Sequence, residues 1–233
     1  MTLSGEKAKG RKKKETADGD PERLVRIPAD GVSLEGVLAV PAEAVGVVLF
    51  AHGSGSSRRS PRNNFVAGLL RKAGLGTLLI DLLTEEEDAT YETRFDVNLL
   101  AERLIAATRW LMRQPEVRTL SVGYFGASTG AAAALQSAAQ LGSAVGAVVS
   151  RGGRPDLARR ILPYVQVPTL LIVGGDDLMV LELNREAYER IKAEKEIEVV
   201  PGATHLFEEP GALEEVARLA IQWFKRYLGP VRA

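Results

Sequence analysis

The chain has 233 residues, of which 45% are hydrophobic, and its 30 basic and 30 acidic side chains cancel to no formal net charge. That length suits one soluble domain with a sizeable buried core, and that charge balance leaves no long-range field to draw nucleic acid or an anionic membrane to its folded part. Cysteine is absent, which excludes disulfides, thiolate nucleophiles and zinc sites built on Cys.

In chain order, the first segment stands apart. Lys7, Lys9, Arg11, Lys12, Lys13 and Lys14 form a basic run, Glu15, Asp18 and Asp20 follow, and almost nothing apolar is available to bury. Residues 1–21 are therefore expected to be a disordered basic tail, ahead of a single domain over 22–233. The tail lacks the apolar stretch of a secretory signal, so a cytoplasmic setting is expected.

Two strands are predicted at Leu24–Ile27 and Leu34–Val40, able to pair antiparallel at a sheet edge. Apolar runs of strand length then recur at Val45–Phe50, Thr77–Ile80, Leu120–Phe125, Val145–Val149, Thr169–Val173 and Ile197–Val200. Runs apolar nearly throughout belong to strands covered on both faces. Helical periodicity falls between them, over Phe65–Lys72, Val97–Met112, Ala131–Ala139, Leu183–Ile191 and Leu213–Leu228. Alternating strand and helix means right-handed crossovers, and so a doubly wound, mostly parallel sheet of about eight strands with helices on both faces. Function in such a sheet collects at the carboxyl ends of the strands. Residues 120–150 carry no charged side chain, but Gly123, Gly126, Gly130, Gly142 and Gly146 and several Ser and Gln residues divide the run into strand, turn, helix and strand, so no membrane span is expected. The acidic run Glu85–Asp88 is expected to be a solvated loop rather than a metal site.

Gly126-Ala127-Ser128-Thr129-Gly130 reads G-x-S-x-G between the fifth predicted strand and an alanine-rich helix. A serine hydroxyl becomes a useful nucleophile when a sharp strand-to-helix turn lifts it clear and a base is at hand. Only His52 and His205 are available. Both follow strands, but His205, after the last one, completes the order serine, acid, histidine and is the expected base, while His52 is expected to fix its own loop. The acid should follow the Thr169–Val173 strand, where Asp176 and Asp177 are adjacent; Asp177 is chosen, with Asp176 facing solvent or capping the next segment. An oxyanion would be met by the Thr129 N–H and by the loop His52-Gly53-Ser54-Gly55, with Ser54 the first candidate donor and Gly53 the second. About twenty residues separate Ser150 from the next strand, too few for a lid domain, which leaves an open site suited to a small acyl substrate. Arg151 and Arg62 are candidate contacts for an anionic substrate group, although Arg58, Arg59 and Arg62 as a set are expected to be structural or solvated. Neither metal nor cofactor is required by this chemistry.

These motifs resemble the α/β-hydrolases, and among them the dienelactone-hydrolase-like bacterial proteins. The resemblance runs from Glu22 to Leu228 and rests on F-A-H-G-S-G-S-S-R-R-S-P-R-N from Phe50, G-Y-F-G-A-S-T-G-A from Gly123, V-S-R-G-G-R-P-D-L from Val149 and P-G-A-T-H-L-F from Pro201. It implies a Ser128–Asp177–His205 triad, an oxyanion loop at Gly53 and Ser54, and cleavage of a carboxylic ester, thioester or lactone. Dienelactone hydrolases proper use a cysteine nucleophile, which this chain lacks, so the dienelactone substrate does not transfer with the fold.

Overall fold

The computed structural model describes residues 14–15 and 21–229. Its strands are β1 (Lys14–Glu15), β2 (Pro21–Ala29), β3 (Val32–Ala39), β4 (Val47–Ala51), β5 (Gly76–Ile80), β6 (Val122–Ala127), β7 (Ala147–Arg151), β8 (Thr169–Gly174) and β9 (Lys195–Val200). They form one sheet in the order β1-β2-β3-β5-β4-β6-β7-β8-β9. β2 and β3 make an antiparallel hairpin whose turn residues Asp30 and Gly31 both have positive φ, the conformation that matches the natural twist of paired strands. β3 joins β5 antiparallel, and from β5 to β9 every pairing is parallel. This is the doubly wound α/β-hydrolase fold. Within the expected tail, Lys14–Glu15 instead pairs antiparallel with Pro21–Glu22; backbone pairing asks for no apolar side chain, so composition carried no sign of it. Residues 1–13 and 16–20 of that tail lie outside the described residues.

Helices cover both faces because the central strands are apolar on both. On one face α1 (Pro61–Lys72) and α6 (Ala212–Tyr227) bring Val66, Leu70, Val216 and Phe224 against Val48, Phe50 and Phe125. On the other, Leu100 and Leu104 of α3 (Val97–Leu111), Ala133 and Ala134 of α4 (Thr129–Leu141) and Ala187 of α5 (Leu178–Arg190) pack on Leu49, Tyr124 and Val148. The β9 edge carries the charged residues Lys195, Glu196 and Glu198, the usual protection of an unpaired strand.

The acidic run departs from the expected loop. Glu85–Asp88 is a single helical turn, α2, closed by a capping box in which Thr84 bonds the Glu87 N–H and Glu87 bonds back to the Thr84 N–H. Glu87 also neutralises the buried Arg103. The uncharged stretch is β6, α4, a short 3₁₀ turn and the start of β7, and no helix among the described residues is long and apolar enough to cross a membrane. Between β7 and β8 the chain makes two 3₁₀ turns, Pro155–Ala158 and Leu162–Tyr164, and no lid.

Candidate active site

Three loops leaving the carboxyl ends of β6, β8 and β9 carry the residues of interest. Ser128 follows the β6 strand at φ 50 and ψ −121, a backbone conformation rarely tolerated by a residue with a Cβ. It is held there by tight packing below: a methyl group added at Gly130 would lie 2.2 Å from the Ala51 carbonyl oxygen, and one at Gly126 would lie 2.5 Å from the Ala131 Cα. Both small residues of G-x-S-x-G are therefore steric requirements of the elbow. Ser128 occupies the N-cap position of α4 but its side chain makes no capping hydrogen bond, so the hydroxyl is not spent on the helix. The Thr129 amide is the first of the helix, where N–H groups have no intrahelical acceptor.

The β8 and β9 loops meet at the acid and the base. His205 Nδ1 and Asp177 Oδ2 are 2.7 Å apart. Asp176 is exposed, and its backbone N–H donates to the Ala203 carbonyl, which ties the β8 loop to the β9 loop. A carboxylate at Nδ1 orients the imidazole and leaves Nε2 as the nitrogen able to accept a proton.

The oxyanion-loop candidates pack directly on the elbow. An added Cβ at Gly53 would come 3.0 Å from the Ser128 Cβ, and the Ser54 N–H points at Thr129 Oγ1, 3.4 Å away. His52 is buried: its Nδ1 lies 2.9 Å from the Gly53 carbonyl oxygen, and its Nε2 accepts the Leu82 N–H at 3.0 Å. Both ring nitrogens are thus engaged in joining the β4 loop to the β5 loop, and burial pushes the pKa below the ordinary histidine value, which keeps the ring neutral.

The arginines divide by partner. Arg58 is saturated by Asp81, which also accepts the Arg58 backbone N–H at 2.7 Å, and by Glu35. Arg59 is exposed, and Arg62 reaches Glu208 at 2.5 Å. Arg151, at the end of β7, is buried over the Phe207 ring with its Cζ 5.7 Å from the centroid. Among the described residues no cluster of His, Asp and Glu is arranged to hold a metal ion.

Two contributors were not singled out in the sequence. Gly152 lies against His205, and Asn184, fully buried on α5, donates to the Gly153 carbonyl at 3.0 Å and to the Val180 carbonyl at 2.8 Å. Gly152 and Gly153 stand inside the V-S-R-G-G-R-P-D-L run; the only signal for Asn184 was a polar residue on the apolar stripe of a helix. That helix begins at Leu178, five residues before the predicted Leu183 start, because Leu178 and Met179 are exposed and hide its periodicity.

An oriented imidazole, an unengaged serine hydroxyl and amides at a helix start are the parts of acyl-transfer chemistry. The sequence profile of the dienelactone hydrolase family matches residues 34–228. The chain belongs to the dienelactone hydrolase family. A dienelactone hydrolase from Anabaena variabilis superposes on it with TM-score 0.88 and 56% identity, covering 90% of this chain and 99% of that one. An esterase from Pyrococcus furiosus, TM-score 0.73 and 20% identical over 89% of this chain and 92% of its own, shares the fold. Proteins from two strains of Mycobacterium tuberculosis, provisionally named phosphoribosyl transferases, are 58% identical over 218 residues, 92% of this chain and 49% of theirs. This dienelactone hydrolase family member thus spans about half the length of those curated relatives. Family membership and the Anabaena structure place this chain among hydrolases, and the Pyrococcus esterase adds only a shared fold.

Proposed function

We propose that the chain is a serine-dependent hydrolase of carboxylic esters, thioesters or lactones that works through an acyl-Ser128 intermediate. The observation that carries this reading is the 2.7 Å contact of His205 Nδ1 with Asp177, made at the same sheet edge as the strained Ser128. His205 takes the Ser128 proton as the oxygen attacks the acyl carbon. The Thr129 N–H, with Ser54 or Gly53, receives the oxyanion. The imidazolium, stabilised by Asp177, then protonates the leaving group, and water enters by the reverse sequence to release the acid. Neither metal nor cofactor enters any step. The proposed partner is a small acyl compound, with no nucleic acid or membrane for the folded part, in the cytoplasm.

A fluorophosphonate probe followed by intact-mass measurement tests the reading. One probe should add per chain, none in Ser128→Ala, and far less in His205→Ala. A folded wild-type protein that stays unmodified would favour a non-catalytic binding protein. Product analysis with an added alcohol or amine separates hydrolysis from acyl transfer. The transferase name of the mycobacterial proteins we assign to the part of them outside the span matched here, since the hydrolase family profile already occupies residues 34–228 of this chain.

A further inference from the structure

The hydrolytic reading leaves Arg151 unused, and Arg151 is unlike the other buried arginines. Arg103 meets Glu87 and the Ala29 carbonyl, and Arg58 meets Asp81 and Glu35. Arg151, only 7% exposed, has no carboxylate within ion-pair distance among the described residues. Its single hydrogen bond is a long one, from Nη1 to the Leu206 carbonyl at 3.4 Å, and its Nε is buried without an acceptor. The charge that acts on it is another guanidinium, Arg62, whose Nε is also buried and unpaired and whose Nη1 is held by Glu208. Burial, reinforced by the Arg62 charge, brings the Arg151 pKa down to about 10, still protonated at neutral pH. An uncompensated buried cation is costly, so a fold that retains one is offset by an anion that arrives from outside.

Its place connects it to the reaction. Arg151 pairs with Ala127 across β6 and β7, its carbonyl accepts the Ser128 N–H at 3.3 Å, and its guanidinium lies under Leu206 and Phe207, the two residues after His205. Resting on the acyl-Ser128 reading, we infer that Arg151, flanked by Arg62, is the subsite for an oxyanion group of the substrate, a carboxylate or a phosphate carried on its acyl or alcohol part. A planar fork with unspent N–H donors fits either group. Glu208 then has a second part, holding Arg62 while the subsite is free and sharing it when an anion is bound.

The test compares the mono-4-nitrophenyl ester of glutarate with the neutral 4-nitrophenyl ester of valerate in the full-length wild type, Arg151→Met and Arg62→Met. The wild type should favour the anionic ester in kcat/KM, and the anionic-to-neutral ratio should fall about 10- to 100-fold in Arg151→Met. Glutarate and inorganic phosphate, each added as an inhibitor of the neutral ester, tell the two anions apart. An equal loss on both esters would overturn the inference and leave Arg151 as a support for the Leu206 turn, as would a wild type indifferent to ester charge and inhibited by neither anion. If Arg151→Met does not fold, inhibition of the wild type and its weakening in Arg62→Met decide the matter. Binding is also read without turnover, as the rise in thermal-unfolding midpoint of Ser128→Ala with each anion. Failure of the acyl-enzyme reading would therefore show as an unlabelled Ser128 with anion binding still measurable.

Discussion

Gly152 touches His205: a Cβ placed on it would lie 3.2 Å from the His205 carbonyl oxygen and 3.6 Å from Nδ1, the nitrogen that meets Asp177. The same residue has φ +50 and donates its N–H to the Ile172 carbonyl, so neither its backbone nor its surroundings can yield easily. Gly152→Ala should crowd the His205 backbone and the Phe207 ring, and shift the attached imidazole by a few tenths of an ångström. A displacement near 1 Å at a catalytic group typically costs about 100-fold, so a smaller one costs less. We expect kcat lower by about 3- to 10-fold with KM much less changed, and stability lower by about 1–2 kcal/mol from the left-handed backbone. Steady-state kinetics beside a urea titration check both.

Asp177 and Asp176 are neighbours in sequence with different surroundings. Asp177→Asn should lower esterase turnover by up to about 10⁴-fold, since an amide in that place favours the wrong imidazole tautomer. Asp176→Asn, exposed and joined to the β9 loop through its backbone alone, should stay within a few-fold of wild type. The opposite ranking would show that the 2.7 Å contact does not serve catalysis.

Asn184 holds the segment that braces the nucleophile. Its amide bonds the Gly153 carbonyl, and the next residue, Arg154, donates its backbone N–H to the Ser128 carbonyl at 3.1 Å. Asn184→Ala should cost about 1–3 kcal/mol of stability. Asn184→Asp should cost more than Ala, because it sets an acceptor against the carbonyls of Gly153 and Val180. Urea midpoints of the two variants decide the order; equal values would remove the hydrogen bonds from the account.

His52 predicts an acid-side instability. Its folded pKa lies below the unfolded value of 6.5, so as pH falls through 6.5 the unfolded chain takes up a proton that the folded one refuses. Stability should therefore fall with pH below 6.5, by at most about 1.4 kcal/mol per pH unit from this group, until the folded pKa is reached. Unfolding free energies measured from about pH 7 down to about pH 5 should show this slope in wild type and a shallower one in His52→Asn.

Phosphoribosyl chemistry gives a negative control. Incubated with phosphoribosyl pyrophosphate and nucleobase acceptors, this chain should release no pyrophosphate above background, measured by a coupled phosphate assay. Release lost in Ser128→Ala would overturn the division proposed for the mycobacterial relatives.

Much of this protein was legible before any coordinates. Six of the eight principal strands stood out as apolar runs because buried parallel strands need no polar face, the other two, β2 and β3, as a pair able to join antiparallel at one edge, and the candidates Ser128, His205 and the aspartate pair could be picked out because each follows an apolar run. Boundaries were less legible. Helix α1 starts at Pro61 rather than Phe65, since Ser60 and Pro61 form a capped start ahead of the first apolar residue. The capping box that turns Glu85–Asp88 into a helix is likewise written in Thr84 and Glu87, but the density of charge conceals it.

The sequence by itself determined the alternation of strand and helix, the elbow motif and the short list of groups able to do chemistry, because these follow from local periodicity and residue type. Only the tertiary structure decided which partner each group has. Asp177 meets His205 across 28 residues of chain, Asn184 reaches Gly153 across 31, and Arg58 finds Asp81 while Arg151 finds no carboxylate among the described residues. Such pairings depend on which loops the sheet order brings to one edge, and on what is left unpaired once they are packed. No local rule of spacing carries that information.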